Sequence, residues 1–288
     1  MADGLSGVRS ILETPILEPR KWAKVPSLPC DAVLLDLEDS VPPDRKAEAR
    51  KRVLQALDEV EQLGGRIPIP RVNGLDTPWG RDDLEALATR DVNLVCYPKV
   101  RTADELHEVC ALLDASSTRT DLFVIVETAQ AVLELEKLAQ VPRVAGFVLG
   151  PYDLAVSAGW ELFADGKLFA DPYHYPKSKL VLVGASYGLP VFDTVFVPDL
   201  RDFSRVQVAA RQARQLGFSG MVTFYPPHLA LVNEVFTSSE EEIAAAQQIV
   251  ASYENVLANG GAAARSGGQV LIVQDYKRAL HVLGRWQP

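Results

Sequence analysis

Cysteine is scarce in this 288-residue chain: only Cys30, Cys96 and Cys110, an odd count with no C-x-x-C pair. That excludes a disulfide framework and points to a reduced, cytoplasmic compartment. Histidine is also sparse, with four residues and neither H-x-H nor H-E-x-x-H spacing, so zinc has no support. No uncharged apolar run approaches the ~20 residues of a membrane span. The opening MADGLSGVRS lacks a signal peptide's apolar core. G-x-x-x-x-G-K-[ST] is missing, and no G-x-G-x-x-G follows the first apolar run, which removes P-loop and dinucleotide-fold readings. Cations are outnumbered, 29 Lys and Arg against 38 Asp and Glu, for a net charge of −9. This argues against a nucleic-acid surface while leaving room for a local basic pocket that takes an anion.

What is present is a globular mixture, 48% hydrophobic and 23% charged, able to bury a substantial core. Short apolar, β-branched runs alternate with longer amphipathic stretches. The runs are residues 9–15, 32–39, 66–73, 92–100, 122–128, 144–150, 190–196 and 219–226. Each has the length and composition of a parallel strand buried on both faces. Helical spacing marks residues 45–63, 102–113, 129–138 and 201–216, and Thr102 with Glu105 has capping-box spacing. Eight such pairs predict a (β/α)8 TIM barrel over residues 1–236. Residues 237–288 read as a C-terminal helical extension, a lid or an oligomer arm. It comprises a capped helix at 239–259, a small-residue hinge GGAAARSGG and a last helix at 275–285.

In such barrels chemistry collects at the carboxyl ends of the strands. Those ends carry Glu13, Asp36, Glu38, Asp39, Arg71, Asn73, Lys99, Glu127, Asp153, Asp193 and Tyr225. The distribution resembles an acidic bowl for a divalent cation with a cation opposite for an anionic substrate. Glu127 and Asp153, on adjacent strand ends, suit a hard cation that uses one or two carboxylates plus water and substrate oxygens. Spacing leaves the alternative open that Glu127 serves a helix dipole and Asp153 a turn. Arg71 offers a fork matched to a carboxylate, or an ion pair with the acids of DLED. If strand alternation persists, Asp36 and Glu38 share one face and Asp39 the other. Lys99 reads as a structural or electrostatic charge rather than an imine-forming amine, and His228, just past strand eight, as a residue able to face the bowl.

The stretches DAVLLDLEDSVPPDRKAEAR, PRVNGLDTPWGRDDL, YPKV, VIVETAQAVLELEKL, GFVLGPYDLAVSAG, DTVFVPDL and LGFSGMV together resemble the citrate lyase beta-subunit family of the HpcH/HpaI aldolase superfamily, which includes malyl-CoA lyases. The resemblance implies a barrel assembled as a homotrimer or hexamer. It also implies Mg²⁺ bound by Glu127 and Asp153, and a substrate carboxylate held by Arg71 and by backbone near Gly150, Pro151 and Tyr152. Glu38 and Tyr225 join the expected substrate contacts, and Asp39 joins Arg71, Glu127 and Asp153 as a catalytic candidate. The implied activity is a Mg-dependent carbon–carbon lyase of retro-aldol or Claisen type. It would cleave or form a hydroxyacyl-CoA, or a related 2-keto or hydroxy acid, through a metal-stabilised enolate. Two alternatives stand beside it: an aldolase for a free keto or hydroxy acid in specialised metabolism, and a non-catalytic small-acid-binding subunit. The chain departs from the family pattern at strand eight, where Tyr225 replaces a His and His228 a Gln. It departs again in the tail, where Ile272 replaces the lid Asp with Asp275 three residues on, and at the start, where L-E-T-P adds Glu13.

Overall fold

The computed structural model describes residues 3–114, 119–161, 171–259, 264–266 and 269–284, and the chain divides into two compact units, 1–236 and 237–288. In the first unit, eight parallel strands close in chain order, with β8 pairing back onto β1. They are β1 (Ser10–Pro15), β2 (Ala32–Asp36), β3 (Ile67–Arg71), β4 (Leu94–Tyr97), β5 (Asp121–Val126), β6 (Val144–Leu149), β7 (Val191–Thr194) and β8 (Gly220–Thr223). Helices follow them: α1 (Pro19–Trp22), α2 (Lys46–Asp58), α3 (Gly80–Leu87), α4 (Ala103–Leu113), α5 (Ala129–Leu133), α6 (Leu135–Ala139), α7 (Pro151–Ala158), α8 (His174–Tyr187), α9 (Phe203–Leu216) and α10 (Leu229–Phe236). This is the (β/α)8 barrel expected from the alternation.

The period of two along each strand sorts the side chains. One set, including Ile11, Leu34, Ile69, Ile125, Phe192 and Val222, packs inside the barrel, where Phe123 meets Phe192 edge to face at 5.4 Å. The other set, such as Val33, Leu35, Val124, Val126 and Val191, packs against the helices. The inner set fixes what emerges at the mouth. Two residues beyond Ile11, Leu34, Ile69 and Ile125 stand Glu13, Asp36, Arg71 and Glu127. The opposite end holds a recess of about 530 Å³ lined in part by Arg9, Cys30, Asp31 and Arg66, away from these acids.

Local details depart from the sequence reading in instructive ways. The stretch 129–138 is two short helices, broken at Glu134. Thr102 caps α4 through the Glu105 N–H, but the Glu105 carboxylate accepts from Tyr97 Oη at 2.6 Å and from Arg101 N rather than from the cap's own N–H. The reciprocal box forms instead at Ser239 and Glu242, ahead of the first helix of the second unit.

That unit contains α11 (Glu240–Ala258), an antiparallel pair β9 (Ala264–Ser266) and β10 (Gln269–Leu271), and α12 (Val273–Val282). Its core joins Ala246, Val250 and Ala279, with Tyr253 stacked on Tyr276 at 4.9 Å. Part of the expected hinge is therefore strand: Ala264, Arg265 and Ser266 pair with Leu271, Val270 and Gln269, because small residues do not prevent a ladder from satisfying their backbone groups. The rest of GGAAARSGG lies outside the described residues. Among the described residues no helix is long and apolar enough to cross a membrane.

Candidate active site

Arg71 ends β3 and is buried inside a ring of acids. Its Nε donates to Asp36 Oδ1 at 2.6 Å, its Nη2 donates to Glu13 Oε1 at 2.8 Å, and Glu38 Oε2 lies 3.5 Å from Nε. Asp36 also accepts the N–H groups of Glu38 and Ser40, which turns the chain sharply out of β2. Although burial opposes its charge, the Arg71 guanidinium and these hydrogen bonds hold the Asp36 carboxyl down at about 2.

That turn overrides the strand alternation expected for DLED. Glu38 and Asp39 do not face opposite ways but both meet Lys99, whose Nζ donates to Glu38 Oε1 at 2.5 Å and to Asp39 Oδ1 at 3.1 Å. Asp39 stays at the exposed rim, while Glu38 is buried with Oε2 lacking a hydrogen-bond partner. Burial, only partly offset by Arg71, pushes the Glu38 carboxyl up to about 7.

Lys99 has a second use. It is the one non-glycine with a left-handed backbone among the described residues, φ 50°, and its N–H donates to Glu127 Oε1 at 2.8 Å. Glu127 is 4% exposed, and burial together with Glu38 and Asp153 lifts its carboxyl to about 8. Gly150 makes this possible. A Cβ there would sit 2.4 Å from Glu127 Oε2, so only glycine leaves room for the carboxylate. Asp153, half-exposed in the first turn of α7, approaches closely enough to repel the Glu127 charge. The pair could hold a hard divalent cation. Among the described residues no group of three His, Cys, Asp or Glu side chains is placed to do so.

Other predicted residues sit elsewhere. The Gly150 N–H is used by Val126 O and Pro151 has none, so Tyr152 and Asp153 carry the amides left at this corner. Tyr152 itself is partly exposed and packs edge-on to Phe196 at 4.7 Å. Asp193 is not in the bowl, since it falls on the helix-facing phase of β7 and accepts from Lys177 Nζ of α8 at 2.6 Å. His228 does not face the bowl either. It is fully buried, its Nε2 lies 2.7 Å from Leu200 O and its Nδ1 lies 3.0 Å from Thr223 Oγ1. Tyr225 covers it at 4.9 Å, so its ring packs on a buried histidine beside the mouth, while Phe224 continues the inner phase of β8 and is 43% exposed. Gly184-Ala185-Ser186-Tyr187-Gly188 has the spacing of a serine nucleophile elbow, yet it ends a helix, and Ser186 Oγ donates to Leu182 O.

Sequence reading missed Lys46. Buried in α2, it donates to Leu37 O, Glu38 O and Asn73 Oδ1, each at 2.7 Å, with Trp79 over its ammonium. Asn73 in turn donates to Asp83, which Arg50 holds at 2.7 Å. This network suspends the DLED loop over the mouth. The only signal for it in the sequence is a lysine on the apolar stripe of a helix.

Residues 9–226 match the family described as HpcH/HpaI aldolase/citrate lyase. The chain belongs to this family, which includes carbon–carbon lyases. Among its relatives, a (3S)-malyl-CoA thioesterase of Cereibacter sphaeroides is 34% identical, over 94% of this chain and 92% of its own length. An L-malyl-CoA/beta-methylmalyl-CoA lyase of Rhodobacter capsulatus is 31% identical, over 92% and 90%. The protein CitE from Mycobacterium tuberculosis, in complex with magnesium, acetoacetate and coenzyme A, superposes with a TM-score of 0.80 at 25% identity, over 97% of this chain and 98% of its own. In this family member the acids and Arg71 share one barrel mouth.

Two consequences are measurable. Lys46→Met should lower stability by about 2 kcal/mol in denaturant unfolding, because Asn73 Oδ1 loses its donor while Leu37 O and Glu38 O keep one each, from Asn73 Nδ2 and Val41 N. The raised Glu38 and Glu127 carboxyls bind protons more tightly folded than unfolded. Their contribution is therefore full below about pH 4.5 and is lost as the pH rises through about 7 to 8. Glu127→Gln should accordingly be more stable than the native metal-free protein at pH 9 and equal to it below about pH 4.5, as read by thermal melts.

Proposed function

We propose that the chain is a Mg²⁺-dependent carbon–carbon lyase that cleaves or forms a hydroxyacyl-CoA thioester by retro-aldol or Claisen chemistry. The observation that carries this reading is the buried Glu127 carboxylate, fixed at 2.8 Å by the Lys99 N–H, with Asp153 in the first turn of α7 and Arg71 at the same barrel mouth. A carboxylate-only pair matches magnesium, which leaves its remaining octahedral positions to water and substrate. When bound, magnesium supplies positive charge for the oxyanion that develops as the carbon–carbon bond breaks. Glu127 and Asp153 hold the cation, with Glu127 fixed by the Lys99 N–H and the gap at Gly150. Arg71 holds the acid end of the substrate. Glu38, titrating near neutrality between Arg71 and Lys99, holds the proton, and Asp39 at the rim passes it to solvent.

Lyase chemistry is favoured over thioester hydrolysis by the tail. Ile272 stands where the resemblance puts the lid acid, and Asp275 accepts from the Ile272 N–H at 3.0 Å at the start of its own helix. Turnover of malyl-CoA should release glyoxylate and acetyl-CoA with no free thiol. Free coenzyme A as the primary product would overturn the assignment. Glu127→Ala and Asp153→Ala should each lose about 10³-fold in kcat/KM, and Arg71→Lys should raise KM about 10-fold by removing the fork. Equal turnover of the substrate without its CoA moiety would favour the free-acid aldolase instead. Activity in vivo that survives both alanine variants would favour a binding subunit.

Assembly as a homotrimer or hexamer belongs to the same reading, as does a cytoplasmic setting. Leu133 of α5, Val156 of α7, and Tyr175 and Leu182 of α8 are exposed apolar side chains on α5 and the two helices that contact it, a face suited to a second copy. Val156→Asp with Leu182→Asp should reduce the sedimenting species to monomers, and a native protein already monomeric at micromolar concentration would refute the assembly.

A further inference from the structure

The barrel mouth is divided by charge. Each of β1 to β5 delivers a charged side chain there: Glu13, Asp36, Arg71, Lys99 and Glu127. Two of the strands that complete the ring do not. Neither Thr194–Val197 at the end of β7 nor Thr223–Pro227 at the end of β8 contains an acid or a base. The threonine hydroxyls of these two segments are spent as well. Thr194 Oγ1 donates to Leu149 O at 2.7 Å, and Thr223 Oγ1 lies 3.0 Å from His228 Nδ1. What this side offers instead is Phe224, 43% exposed. Thr223 and Tyr225 both turn to the buried His228, so Phe224 between them faces the other way, two residues beyond Val222 of the lumen core.

Parallel pairing sets Leu12 of β1 against Thr223 of β8, and one step further along both strands Glu13 is level with Phe224. Glu13 Oε1 in turn accepts from Arg71 Nη2 at 2.8 Å. The phenyl ring therefore stands one side chain away from the guanidinium assigned to the substrate's acid end. We propose that Phe224 determines specificity by seating an uncharged, apolar group attached to the keto carbon of a 2-keto acid fragment. The substrate is then a hydroxyacyl thioester whose keto-acid half carries a branched or aromatic side chain. This rests on the reading that magnesium and Arg71 hold the acid head.

The direction follows from what an apolar group costs its neighbours. Laid against β1 to β5 it would strip water from a carboxylate, a guanidinium or an ammonium and give nothing back. Laid against Phe224 it covers ring surface now open to water, and an aromatic group can also pack edge-on or offset against the ring. A second carboxylate in the same place would gain nothing from the phenyl ring and would stand beside Glu13, which has the same charge. Tyr152, 37% exposed and edge-on to Phe196 at 4.7 Å, adds a second aromatic ring between β6 and β7.

The test uses ligands that share one keto-acid head. The magnesium-loaded protein is titrated by calorimetry with pyruvate, with its isopropyl and phenyl analogues, and with oxaloacetate. The phenyl analogue should bind about 10-fold more tightly than pyruvate, the smallest discrimination an apolar pocket gives for an added methylene. The isopropyl analogue should fall between them, and oxaloacetate should bind no more tightly than pyruvate. In Phe224→Ala, or in Phe224→Asn should the first variant fail to fold, the preference for phenyl over methyl should fall to about 1-fold. No such preference in the native protein, a preference that the variants leave intact, or oxaloacetate as the tightest ligand overturns the role of Phe224 and leaves Arg71 as anchor. A variant that changes the sedimenting species but not the preference assigns the ring to a subunit contact and overturns the role as well. Undiminished binding of all four acids by Arg71→Met overturns the anchor and the specificity together.

Discussion

The buried ion pair between Arg71 and Asp36 organises this barrel mouth. A guanidinium at the end of a lumen-facing strand is tolerable only if carboxylates gather round it, and once gathered they cannot lose it without severe repulsion. Asp36 answers it most directly, at 2.6 Å, and closes the turn that carries Glu38 and Asp39. The acids outnumber the two cations, so their environments diverge. Asp36, with three donors, sits at about 2, whereas Glu38 and Glu127, buried beside other acids, rise to about 7 and 8. Residues of one chemical type thus acquire separate duties: one stays ionised to hold the frame, and the others can exchange protons or give them up to a cation.

Holding those carboxylates apart from solvent yet in place requires a supporting layer behind them. Lys46 spends its three N–H groups on Leu37, Glu38 and Asn73, so the loop after β2 hangs from helix α2. Lys99 adopts a left-handed backbone that aims its N–H at Glu127, and Gly150 withholds a Cβ that would strike the same carboxylate. Strain and missing side-chain volume concentrate around the buried Glu127 at the barrel mouth.

Much of this was legible beforehand because β-strands have an unambiguous period. Seven of the eight expected apolar runs contain the strand found there, β5 alone starting one residue earlier at Asp121, and Glu13, Asp36, Arg71 and Glu127 follow lumen-facing residues by two positions. Legibility failed where the period ended. Past Asp36 the chain turns, so alternation no longer separates Glu38 from Asp39. On β7 the phase was misread, and Asp193 faces Lys177 instead of the mouth. His228 looked available because a polar ring beside two prolines gives no hint of a pocket. Its partners, Leu200 in the loop after β7 and Thr223 at the end of β8, come from separate elements. Lys46 was invisible for the opposite reason, since a lysine on a helix is ordinarily a solvated one.

The amino-acid order alone determined the alternating barrel, its strand ends and the list of acids and cations that emerge there, because hydrophobic period and capping chemistry act over a few neighbouring residues. It also determined the family, through motifs spread along most of the chain. Which of those acids stays ionised, which donors are already taken, and which carboxylates pair with Arg71 were decided only by the closed tertiary structure. Those properties depend on burial and on charges tens of residues away, such as Glu13 and Arg71, which meet because the barrel closes and not because anything local brings them together.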